Sequence, residues 1–128
     1  MNEKMKERIN SQNKQIVTKL SDSFGVKVYQ DDVGEDEEKN YHFFVFETGS
    51  ITAGESEERA FQDVFVHYVS ENVEDLDERT LDIISLLQSI KFRFVRTEKE
   101  RYQKGDTDAY VDRVSVLVRR MIKFDHSV

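Results

Sequence analysis

The hydrophobic positions of this chain repeat with the period of an α-helix in two segments. Met5, Ile9, Ile16 and Leu20 lie one or two helical turns apart, which predicts an amphipathic helix over residues 2–20. A second stripe predicts a helix over residues 76–90, where Asp75 and Glu78 have the spacing of a capping box. The apolar face of this second helix consists of Leu76, Ile83, Ile84, Leu87 and Ile90.

Five other segments have the composition of β-strands. The first surrounds Val26 and Val28, and the others cover residues 41–47, 61–69, 92–96 and 110–124. Residues 41–47 are apolar at nearly every position, which predicts a strand covered by a helix on one face and by a partner or neighbouring subunit on the other. The last strand is long, so we expect a bend or bulge near Arg119 and Arg120.

Three polar segments separate these elements. They predict an acidic loop over 31–40, an extended arm over 48–60 and a charged loop over 97–109. The resulting order is α-β-β-β-α-β-β. It predicts an α+β fold in one domain, residues 1–128, in which an antiparallel sheet packs on two helices and carries a long β-hairpin arm.

Composition narrows the possible functions. The 128 residues include no Cys, which excludes disulfides, Cys-ligated zinc and thiol nucleophiles, and the sequence predicts no metal and no cofactor. No apolar run has the ~18–20 residues of a membrane span. The charged N-terminus lacks the apolar segment of a secretory signal, so we expect a soluble protein made in the cytoplasm.

Charge is unevenly distributed along the chain. Residues 1–21 carry a net charge of +3, residues 22–82 carry −14 and residues 83–128 carry +4, within a total of −7. Complementary surfaces on identical copies favour head-to-tail contacts, which close into a ring where the rotation allows. The predicted contact residues are Arg113, Arg119, Arg120, Glu55, Glu57 and Glu58.

Two other functions fit parts of the pattern. The acidic middle segment is also typical of an acidic interaction module, such as an inhibitor or an antitoxin-like mimic of nucleic acid. An acid–base site built from His42, His67 and Asp63 is a further possibility, because the strands that carry them are predicted to pair. Hydrogen-bonded strand residues without a catalytic role explain these histidines more simply, because the sequence places no third group to orient either ring.

The order of elements resembles the tail-terminator and tail-completion proteins of long-tailed bacteriophages, which are also labelled minor capsid proteins. The resemblance covers nearly the whole chain. It depends on the N-terminal helix leading through residues 24–29 into a first strand, the aromatic strand 41–47, the hairpin arm and strand 61–69. Helix 76–90 and the two closing strands complete it.

The resemblance implies a structural virion protein without enzymatic activity. Members of this family form rings, commonly hexamers, that end the tail tube and join it to the neck of the head. The implied partners are further copies of the chain, the tail tube protein and a head-completion or neck protein, and DNA would pass through the ring without specific binding. The implied channel lining is acidic and consists of Asp31, Asp32, Glu35, Asp36, Glu37 and Glu38.

Overall fold

The computed structural model describes residues 1–32, 41–104 and 109–125. It contains two helices, α1 (Glu3–Phe24) and α2 (Leu76–Ser89), and five strands. The strands are β1 (Val28–Gln30), β2 (His42–Ala53), β3 (Arg59–Glu71), β4 (Arg93–Gln103) and β5 (Tyr110–Lys123). The α+β class predicted from the sequence is confirmed.

All five strands form one sheet in the spatial order β1-β2-β3-β5-β4. The prediction of an antiparallel sheet is wrong at one edge, because β1 pairs with β2 in parallel, with Val28 opposite Phe44. Parallel neighbours need a long connection. Residues 31–41, which separate the two strands in the sequence, provide that length.

Both helices pack on the same face of the sheet. Ile16 and Leu20 of α1 and Ile83 and Leu87 of α2 are fully or almost fully buried against alternate residues of the central strands. The strand side of this core consists of Phe44, Phe46, Val64, Val66, Tyr68, Val114, Val116 and Val118. Tyr68 stacks on Phe44 with ring centroids 4.7 Å apart, at the centre of the core.

Two segments predicted as loops are largely strands. Thr48–Ala53 extends β2, and a register shift between Thr48 and Ile51 accommodates Gly49 and Ser50. β-branched Thr48, Ile51 and Thr52 favour the extended conformation there. The connection is therefore only residues 54–58, which we call the hairpin end.

The predicted charged loop is also shorter than the sequence indicates. Residues 97–103 continue β4, which is an edge strand of the sheet. Its charged side chains are exposed to solvent there and discourage pairing with other chains. Residues 105–108 lie outside the described residues. The bulge predicted near Arg119 and Arg120 is wrong, because β5 pairs with β3 without a shift, and the irregularity lies instead between Phe94 and Arg96 of β4.

Candidate functional site

The sheet has a second face that no helix of the described residues covers. Alternation along β2, β3 and β5 places apolar side chains at its centre. We call this surface the helix-free face; the apolar residues that the argument uses are Phe43, Val45, Phe61, Phe65, Val69 and Leu117. Leu117 is buried and the other five are half-buried. An apolar surface of this kind is typical of a contact site.

Charged residues of both signs surround these apolar side chains. The strand register places four carboxylates and four arginines on the same face. They are Glu47, Asp63, Glu98, Glu100, Arg93, Arg96, Arg113 and Arg119. Glu71, Asp31 and Asp32 add negative charge at one end of this face, and Arg59 and Lys123 add positive charge at the other, so its charges sum to −1. The helix-free face is therefore close to neutral, although the chain as a whole has a charge of −7.

The predicted separation of acidic and basic surfaces is not preserved in the fold. Arg119 donates to Asp63 at 2.8 Å, Lys104 pairs with Glu71 at 3.3 Å, and Lys99 pairs with Asp77. Each ion pair joins the basic C-terminal segment to the acidic middle segment. The fold brings these segments together, because β5 lies beside β3 and α2 packs near β4. Opposite charges are thus partly neutralised within one copy.

The three arginines of the predicted contact surface do not share one face. Arg113 and Arg119 lie half-buried on the helix-free face, because both occupy odd-numbered positions of β5. Arg120 points to the helix side and is only 3% exposed, so its prediction as a surface contact residue is wrong. Alternate residues of a strand point to the same face, so Arg120 points to the same side as the buried residues Val116, Val118 and Ile122.

Arg120 connects three elements through neutral side chains. Its Nε donates to Gln62 Oε1 at 2.9 Å, and its Nη1 donates to Gln12 Oε1 at 3.2 Å and to Asn13 Oδ1 at 2.8 Å. Gln62 donates in turn to the Gly49 carbonyl at 3.0 Å, and Gln12 donates to the Ile90 carbonyl at 2.9 Å. This amide–guanidinium network ties α1, the irregular part of β2 and the residue after α2 to the sheet.

The acidic residues predicted for the arm occupy the hairpin end. Glu55, Glu57 and Glu58 are all exposed, and the Glu58 carbonyl accepts a hydrogen bond from the Phe124 backbone N–H at 2.9 Å. Their carboxylates lie at the far end of the β2–β3 hairpin, where a neighbouring molecule can reach them.

Only two of the predicted channel-lining residues belong to the described part of the chain. Asp31 and Asp32 are exposed beside the end of β1, and the Asp31 N–H donates to the Phe46 carbonyl at 2.9 Å. They line a shallow cavity on the helix-free face together with His67 and Arg113. Glu35, Asp36, Glu37 and Glu38 lie outside the described residues.

The two strand histidines lie on opposite faces of the sheet, so His42 and His67 do not form a shared site. His42 Nε2 lies 2.7 Å from the hydroxyl oxygen of buried Tyr68, which also accepts a hydrogen bond from Arg79 at 2.7 Å. Burial and the nearby Arg79 guanidinium lower the pKa of His42.

Asp75, the predicted cap of α2, makes no side-chain cap and instead accepts a hydrogen bond from Arg79 at 2.9 Å.

His67 is the centre of a polar cluster on the helix-free face. Its Nδ1 lies 2.7 Å from Ser115 Oγ and 3.2 Å from Arg113 Nη2, while its Nε2 lies 3.2 Å from Glu47 Oε1. Because a guanidinium only donates, Nδ1 accepts and the ring proton is on Nε2, directed at Glu47. Burial, with a smaller contribution from Arg113, lowers the pKa of His67, whereas Glu47 opposes that shift.

This cluster places a hydroxyl, an imidazole and a carboxylate in a row, which is the order of a nucleophilic relay. Ser115 lies in the middle of β5, between β3 and β4, so its neighbouring backbone groups belong to the sheet ladder. They do not form a free pair of N–H donors for an oxyanion. Asp63, the third residue of the predicted acid–base site, pairs with Arg119 instead.

We predict that acidification destabilises the protein through His67. A histidine whose pKa is lowered on folding binds fewer protons in the native state, so its contribution to stability is complete above about pH 6.5 and falls as the pH drops below that value. Urea unfolding at several pH values between 5 and 8 measures this slope. The variant His67→Gln should show a shallower slope between pH 6.5 and 5, and an unchanged slope would contradict the prediction.

Comparison with known proteins does not assign a family: the chain matches no protein-family model and no curated protein sequence. Among residues 1–32, 41–104 and 109–125, neither helix combines the length and apolarity needed to cross a lipid bilayer. The same part of the chain contains no group of three or more His, Asp or Glu side chains placed to hold a metal ion.

Proposed function

We propose that this chain is a self-associating structural subunit that forms a ring at the head-proximal end of a bacteriophage tail. In this proposal the ring ends the tail tube and joins it to the neck of the head. The observation that carries the proposal is the helix-free face, which is apolar at its centre and balanced in charge. Copies that each carry a charge of −7 repel one another, so a neutral surface is the place where they can approach closely.

A closed ring requires two different surfaces on each copy. The helix-free face provides the first. On it, Arg93 is exposed directly opposite half-buried Arg119, and half-buried Arg113 lies six residues earlier along β5, opposite Glu100. The hairpin end of the neighbouring copy provides the second, with the exposed carboxylates of Glu55, Glu57 and Glu58. This arrangement keeps the contact residues expected from the sequence, except for Arg120, which is buried within the copy.

The resemblance in element order supplies the location of this ring. Because the tube encloses the path of DNA, the exposed carboxylates of Asp31 and Asp32 would repel phosphate groups where they face the channel. The partners in this proposal are the tail tube protein on one side and the head-completion or neck protein on the other. No enzymatic step is part of the proposed role.

Electron microscopy tests the proposal directly. The purified protein is imaged alone over a range of concentrations, and also after mixing with tail tubes that lack their terminating ring. We expect closed rings of one size, either free or attached to one end of the tube. A protein that stays monomeric in sedimentation and leaves both tube ends bare would contradict the proposal.

The second candidate function is the acidic interaction module, supported by the exposed carboxylates of the hairpin end and of Asp31 and Asp32. This function requires a basic partner, whose binding weakens as salt screens the charges. A monomer that binds a basic protein at low salt and loses it when Asp31, Asp32, Asp36 and Glu37 are neutralised together would favour this candidate over the ring.

A further inference from the structure

A cavity of about 360 Å³ lies between α1, the residues that follow α2, and the end of β5. Its cationic lining residues are Arg8, Lys91 and Arg120, and the described residues that line it include no carboxylate. Ser11 and Gln15 add polar groups, whereas Met5, Ile90 and Met121 form apolar walls. A concentration of positive charge without counter-charge is unusual on a chain whose net charge is −7.

Arg120 is the buried end of this cavity. A charged group that is only 3% exposed normally has an opposite charge beside it, because desolvation of an isolated ion is costly. Here the partners of Nε and Nη1 are neutral amides, and no hydrogen bond to a described residue satisfies Nη2. The buried guanidinium therefore retains both charge and donor capacity.

Lys91 holds a backbone conformation that is rare for residues other than glycine. Its φ is +75°, and its N–H donates to the Gln88 carbonyl at 3.0 Å as the chain leaves α2. Left-handed conformations at such residues cost free energy and are concentrated at functional positions. This turn leaves the exposed side chain of Lys91 at the cavity, which exposed Arg8 of α1 also lines.

We propose that this cavity binds a small organic phosphate monoester, with its phosphate group between Arg120, Arg8 and Lys91. Guanidinium groups match phosphate oxygens through paired N–H donors, and an ammonium group adds a compact charge. Three cations suit a doubly charged phosphate better than a singly charged carboxylate. The volume exceeds that of phosphate alone, so Met5, Ile90 and Met121 leave space for an apolar organic part.

Calorimetric titration with three probes tests this proposal. Phenyl phosphate combines the phosphate with an apolar ring, inorganic phosphate lacks the ring, and benzoate carries a carboxylate in place of the phosphate. We expect phenyl phosphate to bind most tightly, inorganic phosphate less tightly and benzoate most weakly. Equal binding of benzoate and phenyl phosphate, or no heat from phenyl phosphate at millimolar concentration, would overturn the proposal.

Variants at the exposed cations avoid the risk of unfolding that accompanies a change at Arg120. Arg8→Gln and Lys91→Gln should each weaken phenyl phosphate at least tenfold. Lys91→Gly accommodates the left-handed backbone, so loss of binding in this variant reports the missing ammonium group rather than a distorted turn. Lys14→Gln is the matched control, because Lys14 is exposed on α1 but is not among the residues that line this cavity. Binding that is equally strong in Arg8→Gln, Lys91→Gln and the control would overturn the assignment to this cavity.

Discussion

Replacement of Gln62 by leucine should lower the free energy of unfolding by about 2–6 kcal/mol. Gln62 accepts from Arg120 Nε through its Oε1 and donates from its Nε2 to the Gly49 carbonyl. Leucine has a similar size but leaves both groups without a partner inside the protein. Each buried polar group that loses its partner costs about 1–3 kcal/mol. Equilibrium unfolding in urea, monitored by circular dichroism, measures the change.

A double-mutant cycle separates the network from simple packing. Arg120→Met removes the guanidinium, so Gln62→Leu in that background no longer leaves the buried Arg120 N–H without an acceptor. The loss in free energy of unfolding caused by Gln62→Leu should therefore be smaller by about 1 kcal/mol or more. Gln88→Leu is a suitable control, because Gln88 is an exposed glutamine on α2 and its loss should change stability by less than about 0.5 kcal/mol. Equal costs of Gln62→Leu in both backgrounds would contradict a network that includes Arg120.

Periodicity was sufficient to predict the main elements, because burial repeats with the same period as the backbone. The stripe Met5, Ile9, Ile16 and Leu20 places α1 correctly, and the alternation in β5 gives the right inner face. The sequence predicts a loop instead of a strand where both faces of the strand are exposed to solvent. In β4 beyond Arg96 the side chains are mostly exposed, so no alternation of apolar residues distinguishes an edge strand from a loop.

The amide–guanidinium network is not indicated by the periodicity, for a different reason. Gln12, Gln62 and Arg120 each interrupt an apolar face, at positions where neighbours such as Ile16, Val64 and Val118 are buried. Taken alone, each of these polar residues could equally well lie at an exposed position. Only the tertiary fold shows that the three side chains meet. The signal that indicates them is the coincidence of three polar residues at inward positions of three different elements.

The charge pattern failed as a predictor of surfaces because the sequence order of charge is not its spatial order. β3 belongs to the acidic middle segment and β5 to the basic end, and these two strands are neighbours in the sheet. Their side chains pair across the strands, as Asp63 and Arg119 do. The surface proposed for association is instead the helix-free face, for which the apolar strand 41–47 is the signal in the sequence.

Substitution of Phe65 by aspartate on the helix-free face should abolish ring formation at concentrations where the parent protein assembles. Phe65 is half-buried beside His67, with the two rings parallel and their centroids 6.3 Å apart. A carboxylate there must lose water when a neighbouring copy covers the face, and it replaces an aromatic contact. Central aromatic residues of interfaces contribute about 2 kcal/mol or more, which corresponds to an association about 30-fold weaker at each contact.

Sedimentation velocity of Phe65→Asp beside Leu81→Asp distinguishes this surface from a general effect of added charge. Leu81 is 64% exposed on α2, on the opposite side of the sheet, and its replacement adds the same charge to the chain. We expect Leu81→Asp to form rings like the parent protein and Phe65→Asp to sediment as a monomer with an unchanged far-ultraviolet spectrum. Rings formed by Phe65→Asp, or lost equally in both variants, would show that the copies do not meet through the helix-free face. We expect the two variants to differ because a neutral, apolar surface allows a second acidic copy to approach. One carboxylate buried at the contact makes that surface both charged and polar.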